Sequence, residues 1–148
     1  MPSPLTRDRL SLQADADDWI EAIRTSADLL YASGCVTSDY VEAIFKSFEV
    51  NGDYMIVVPE VVLAHARPEC GALETGLSLL TLRKSVPFTP SPGKGITAVF
   101  TLAARDNDEH LDLMRSLAEV LVNDDALEEL LTSGDIDTVM DILTLGSP

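Results

Sequence analysis

The chain is expected to fold as an α/β three-layer sandwich, with a mixed parallel and antiparallel sheet flanked by helices on both faces. Three observations predict this. Helical periodicity occupies both ends of the sequence. A nearly unbroken apolar run, from Met55 to Pro68, fills its middle. Hydrophobic residues make up 46% of the 148 positions while aromatics make up only 5%, so the core must be aliphatic. Helices, then strands, then helices in so short a chain bury both kinds of element best as layers.

Residues 1–14 read as a polar lead-in, and 15–146 as a single domain. Asp17 or Asp18 can cap a first helix that places Ile20, Ile23, Ala27 and Leu30 on one face, and Gly34 ends it. Thr37 or Ser38 caps a second, with Val41, Ile44, Phe45 and Phe48 inward, stopping at the turn pair Asn51-Gly52. Strands are expected over 54–58 and 61–65 around Pro59-Glu60, then over 75–82 and 96–103. Between the last two, 85–95 holds Pro87, Pro90, Pro92, Gly93 and Gly95 and reads as a loop. Asp106 or Asn107 caps a helix with Leu111, Met114, Leu117, Ala118 and Leu121 inward. Asp124 starts another, carrying Leu127, Leu130 and Leu131 to Gly134. A last helix from about Asp135 turns Ile136, Val139, Met140 and Leu143 inward.

A formal net charge of −15 argues against nucleic acid, which needs stripes of Lys and Arg, and against anionic membrane surfaces. It suits a basic protein partner by steered encounter, and it equally serves solubility alone. Self-association as a homodimer is left open. Cys35 and Cys70 have neither metal spacing nor a disulfide framework. The opening Met-Pro-Ser-Pro-Leu-Thr-Arg has no signal-peptide core, and no apolar run is long enough to insert into a bilayer. A reducing cytoplasm is the expected compartment.

No P-loop, kinase motif set, nucleophile elbow or dinucleotide fingerprint occurs, so no cofactor is expected. Nothing around either cysteine supports a Cys–His hydrolase. His65, His110 and Cys70 lack the short-spaced pair of a zinc site, so no metal is expected. Histidine as nucleophile or proton carrier remains. His65 ends the apolar run beside Arg67 and Pro68, where a rigid strand meets solvent. A neutral imidazole carries a lone pair able to attack phosphorus without a separate base, and the phosphoryl oxygens then need N–H donors or cations. Arg67 is near, and the helix after Asn107 offers its N-terminus. His110 sits in that first turn, where the helix dipole should lower its pKa. On residue type alone, His65 is as well read as a satisfied core residue, and His110 is better read as a surface residue of its helix.

The segments Val36-Thr-Ser-Asp-Tyr-Val-Glu-Ala43, Leu63-Ala-His-Ala-Arg-Pro68, Thr75-Gly-Leu-Ser-Leu-Leu80 and Ala103-Ala-Arg-Asp-Asn-Asp-Glu-His-Leu111, in this order, resemble the fructose/mannitol-type (type 2) enzyme IIA of the phosphoenolpyruvate-dependent sugar phosphotransferase system. The Leu-Ala-His-Ala-Arg-Pro form is most similar to the ascorbate-specific branch. The resemblance covers about residues 12–145 and implies a mixed sheet between helical layers. It also implies that His65 accepts a phosphoryl group from the histidine-containing phosphocarrier protein. His65 would pass it to a cysteine of enzyme IIB, for a sugar such as ascorbate entering through the membrane enzyme IIC. His110 matches the supporting histidine. Where mannitol-like members carry arginine on the second helix, this chain has Ser47, with Lys46 beside it, so Arg67 is the candidate to neutralise the phosphoryl oxygens. Where ascorbate-like members tend to have glycine, it has Glu60. A regulatory module that reports phosphorylation state without feeding sugar transport would use the same His65.

Overall fold

The computed structural model describes residues 4–51, 55–89 and 91–144. Its strands are β1 (Leu10–Ala14), β2 (Ile56–Val58), β3 (Glu60–His65), β4 (Gly76–Pro87) and β5 (Gly95–Ala103). Its helices are α1 (Trp19–Ala32), α2 (Ser38–Asn51), α3 (Asn107–Leu121), α4 (Asp124–Thr132) and α5 (Ile136–Thr144). The strands form one five-stranded sheet in the order β1-β4-β5-β3-β2. The pairs β1–β4 and β3–β5 are parallel, while β4–β5 and β2–β3 are antiparallel. This is the expected mixed sheet.

Two hydrophobic clusters flank it. On one face Val62, Ala64, Leu80, Leu82 and Val99 pack with Ile23, Ala27 and Leu30 of α1 and Val41, Ile44 and Phe48 of α2. On the other, Val61, Leu63, Leu79, Phe100 and Leu102 pack with Leu117 and Leu121 of α3, Leu130 of α4 and Val139 and Ile142 of α5. Alternate β3 residues therefore feed opposite cores. That is why this stretch is continuously apolar rather than alternating, and why Val61 to Ala64 are all buried.

Helix ends follow the expected chemistry. The Asp18 carboxylate accepts the Glu21 N–H at 2.8 Å and starts α1. At its other end Gly34, at φ +78°, closes the helix while the Gly34 and Cys35 amides bond back to Tyr31 and Leu30. Asp106, rather than Asn107, caps α3 by accepting the Glu109 N–H at 2.8 Å. α4 begins at Asp124, as expected, with Asn123 before it as the cap, its side chain accepting the Ala126 N–H at 3.0 Å.

Three expectations change. The segment read as a lead-in over 1–14 holds β1, which pairs with β4 through Leu10↔Leu79 and Ser11↔Leu80. Its half-buried, mixed-polarity residues suit an edge strand, which needs only one apolar side. The expected loop over 85–95 is shorter, because β4 runs on to Pro87 and β5 begins at Gly95. What remains is pinned by Phe88, packed edge-on against Trp19, and by the Trp19 Nε1–H donated to Thr89 Oγ1 at 2.9 Å. It lies at the opposite end of β5 from Leu102, the partner of His65. The strand expected over 54–58 is observed over Ile56–Val58, and Gly52 and Tyr54 lie outside the described residues.

Glu60 adopts φ +70° directly after Pro59, the backbone of a turn that favours glycine in second place. Its carboxylate accepts from Thr97 Oγ1 at 2.8 Å. Being five residues from His65 along an extended strand puts it about 16 Å away, and it does not line the candidate site. Glu60→Gly is expected to leave phosphorylation unchanged. It should also move stability by less than about 1 kcal/mol, because relief of the positive φ offsets an exposed hydrogen bond and added chain entropy. Thermal melting and a phosphorylation time course check both halves.

Candidate active site

β3 delivers His65 to the edge of the sheet as its last residue, paired with Leu102 of β5. Parity along the strand turns it to the same face as Val61 and Leu63, the face covered by α3. Asp106 fixes where α3 begins, so His110 falls in its first turn. The two imidazoles meet with ring centroids 5.5 Å apart and planes inclined by 61°.

The first turn of α3 is anchored from outside as well. Arg105 makes a two-pronged bond to the Glu109 carboxylate, at 2.6 and 3.1 Å, and Thr75 Oγ1 donates to the same carboxylate. These bonds, Arg105 first and Thr75 second, bring the Glu109 carboxyl down to about 2. It is therefore a fixed anion at any ordinary pH, holding α3 to the start of β4 one residue before His110.

His65 Nδ1 lies 2.9 Å from the Leu63 carbonyl oxygen. A carbonyl only accepts, so Nδ1 carries the proton and Nε2 carries the lone pair in the neutral ring. For His110, burial foremost and the neighbouring His65 second hold the pKa below its ordinary value. The direction matches the sequence expectation, with desolvation as the leading cause.

The rings open onto a hollow of about 440 Å³. His65 and the segment after it contribute Ala66, Arg67 and Pro68, α3 contributes Asn107 and His110, and Ser47 and Met55 complete the wall. His65, His110, Arg67 and Ser47 are therefore brought together. Lys46 is not: it is exposed and does not line the hollow, since one residue along a helix turns the side chain by about 100°. Among the lining residues Arg67 is the fixed cation. Met55 and Asn107 were not singled out as site residues by sequence reasoning. The first lies in an expected strand, and the second marks only the start of the helix whose N-terminus is offered to the phosphoryl oxygens.

The cysteines stand apart from this chemistry. Cys35 is buried, donates to the Glu74 carbonyl at 3.3 Å, and has its thiol pKa raised chiefly by burial. Cys70 does not line the hollow.

The family model described as "Phosphoenolpyruvate-dependent sugar phosphotransferase system, EIIA 2" matches residues 3–145. The chain belongs to this enzyme IIA family. It is 39% identical over 137 residues to a mannitol-specific cryptic phosphotransferase enzyme IIA component of Escherichia coli strain K12, covering 93% of this chain and 92% of that one. It is 33% identical over 136 residues to an ascorbate-specific enzyme IIA component of Salmonella typhi, covering 89% and 88%. The same fold occurs in the complex of mannitol enzyme IIA with phosphorylated enzyme IIB from Escherichia coli, with a TM-score of 0.83, 25% identity, and coverage of 95% of this chain and 96% of that one. As an enzyme IIA the protein is a phosphotransferase component of the sugar phosphotransferase system, working through a phosphohistidine.

Proposed function

We propose that His65 is the phosphoryl carrier atom site of this enzyme IIA, with His110, Arg67 and Ser47 as its support. The observation that carries this is the proton on Nδ1, set by the Leu63 carbonyl, in a ring that lines a hollow with a second histidine and a cation. In the forward step the Nε2 lone pair attacks phosphorus. The bond from phosphorus to the donor imidazole of the histidine-containing phosphocarrier protein breaks, and its electron pair returns to that ring. Positive charge gathers on the His65 ring and is shared with the Leu63 carbonyl through Nδ1–H. In the onward step a cysteine thiolate of enzyme IIB attacks the same phosphorus, and the pair returns to Nε2. Arg67, the Ser47 hydroxyl and His110 offset charge on the phosphoryl oxygens.

The sugar delivered through the membrane enzyme IIC is then ascorbate or a related sugar or hexitol, a choice made outside this chain. A cytoplasmic site of action fits these partners. Among the described residues no helix is long and apolar enough to cross a membrane.

Incubation with phosphoenolpyruvate, enzyme I and the phosphocarrier tests the assignment: one acid-labile, base-stable phosphate per chain is expected at His65. Phosphate at another residue, or none, refutes it. The charge of −15 adds a kinetic expectation. If the phosphocarrier docks with a basic face, transfer should slow severalfold as salt rises from about 0.05 M to about 0.5 M, where screening shortens to a few Å. A flat salt profile removes steering from the account while leaving the chemistry in place.

A further inference from the structure

We propose that Tyr40 is a positioning residue for the nucleophile: its buried phenol oxygen closes the end of the β3–β5 ladder and, by gripping Ala66 and Leu102, fixes the backbone that aims the His65 ring. The inference rests on the assignment of His65 as phosphoryl acceptor.

The parallel pairing of β3 with β5 ends at His65↔Leu102. The next amide, that of Ala66, is buried and has left the ladder. It donates instead to the Tyr40 hydroxyl at 3.1 Å. The same hydroxyl donates to the Leu102 carbonyl at 2.7 Å, and the Ala66 carbonyl stands 3.1 Å from it. One phenol therefore accepts from the Ala66 N–H and donates its single proton to the Leu102 carbonyl, and it joins the residue after His65 to the residue opposite it.

The ring is 1% exposed. Burial pushes its pKa to about 12, so the donor proton is kept at every working pH. The chain after the site folds back over the same residue: a Cβ added at Gly71 would lie 3.2 Å from the Tyr40 amide nitrogen.

The consequence for His65 is geometric. The Ala66 N–H belongs to the peptide that carries His65's own carbonyl. Rotation of that peptide swings the His65 Cβ, and the Nδ1 bond reaches back only two residues, to Leu63. Losing the grip on Ala66 therefore loosens the bond that sets the tautomer. Phenylalanine keeps the ring volume and removes only the oxygen.

The test compares wild type, Tyr40→Phe and Leu130→Ala, the last truncating a buried residue of α4 on the opposite core. All are assayed well below their melting temperatures. In Tyr40→Phe the maximal rate of phosphorylation by the phosphocarrier should fall between about tenfold and a hundredfold, with KM little changed, as expected for a misaimed group. The ¹⁵N shifts of the His65 ring should show loss of the pure Nδ1–H tautomer. Leu130→Ala should lose stability and keep the wild-type rate and tautomer.

In wild type alone, the Ala66 amide should exchange with solvent far more slowly than that of exposed Arg67. This measurement stands even if Tyr40→Phe does not fold. A wild-type rate with an unchanged tautomer in Tyr40→Phe, or Ala66 exchanging as fast as Arg67, overturns the proposal. If wild type takes no phosphate at His65, the site assignment fails instead, and tautomer and exchange alone judge whether Tyr40 orients the ring.

Discussion

Replacement of His65 by alanine is expected to abolish phosphate uptake from the phosphocarrier, to the detection limit of the assay. The reason is stoichiometric rather than energetic. In the proposed assignment Nε2 forms the bond to phosphorus, and the supporting groups have nothing to hold once it is gone. The neighbouring residues do not supply a substitute. His110 is set back in the first turn of α3, with its ring centroid 5.5 Å from that of His65, and the Cys35 thiol is buried with its pKa raised. The fold should survive, because His65 is half-buried at the end of its strand and its Nδ1 bond is local, to the Leu63 carbonyl. Circular dichroism close to that of wild type, together with zero incorporation, is the expected pair of results. Phosphate retained on a folded His65→Ala protein would move the acceptor to another residue, with His110 the first to examine.

How much of this was readable from the chain depends on the range of the interaction. β3 was legible because burial on both faces leaves no polar position between Val61 and Ala64. The ends of α1 and α3 were legible because capping is a contact across three residues, Asp18 to Glu21 and Asp106 to Glu109. β1 was not. Its partner β4 lies more than sixty residues away, and an edge strand with Ser11 and Gln13 in it has no pattern that separates it from a polar lead-in. At the site, His65 and Arg67 were legible as neighbours in sequence, and His110 by its place in the first turn of a helix and through the resemblance. Lys46 and Ser47 could not be told apart by spacing alone, since helix rotation decides which of the two meets the hollow. The cause of the His110 shift was also out of reach, because it depends on how much protein covers the ring rather than on which helix it belongs to.

His110→Ala is expected to leave phosphate uptake on His65 possible and to slow onward transfer to enzyme IIB by about a hundredfold, the usual effect of deleting one donor aimed at transition-state charge. In the resting protein His110 is neutral at pH 7, since burial and His65 hold its pKa below the ordinary 6.5. A lowered value in the folded state means that the unfolded chain binds this proton more readily. The group's contribution to stability is therefore complete above pH 6.5 and declines as pH falls below it. His110→Gln should flatten that acid-side loss.

Phosphorylation inverts the electrostatics. A phosphoryl dianion on His65 favours the imidazolium at His110, so the His110 pKa should rise on phosphorylation, as followed by its ring-proton shifts during titration. The raised value would let His110 hold the phosphoryl group as a cation and follow the charge as it leaves for the thiolate. Glutamine, a neutral donor, should then restore part of the onward rate but none of its dependence on pH. If His110→Ala matches wild type in transfer to enzyme IIB, or if the ring titrates identically in both phosphorylation states, His110 is only a wall of the hollow, and Arg67 is left to balance the phosphoryl charge.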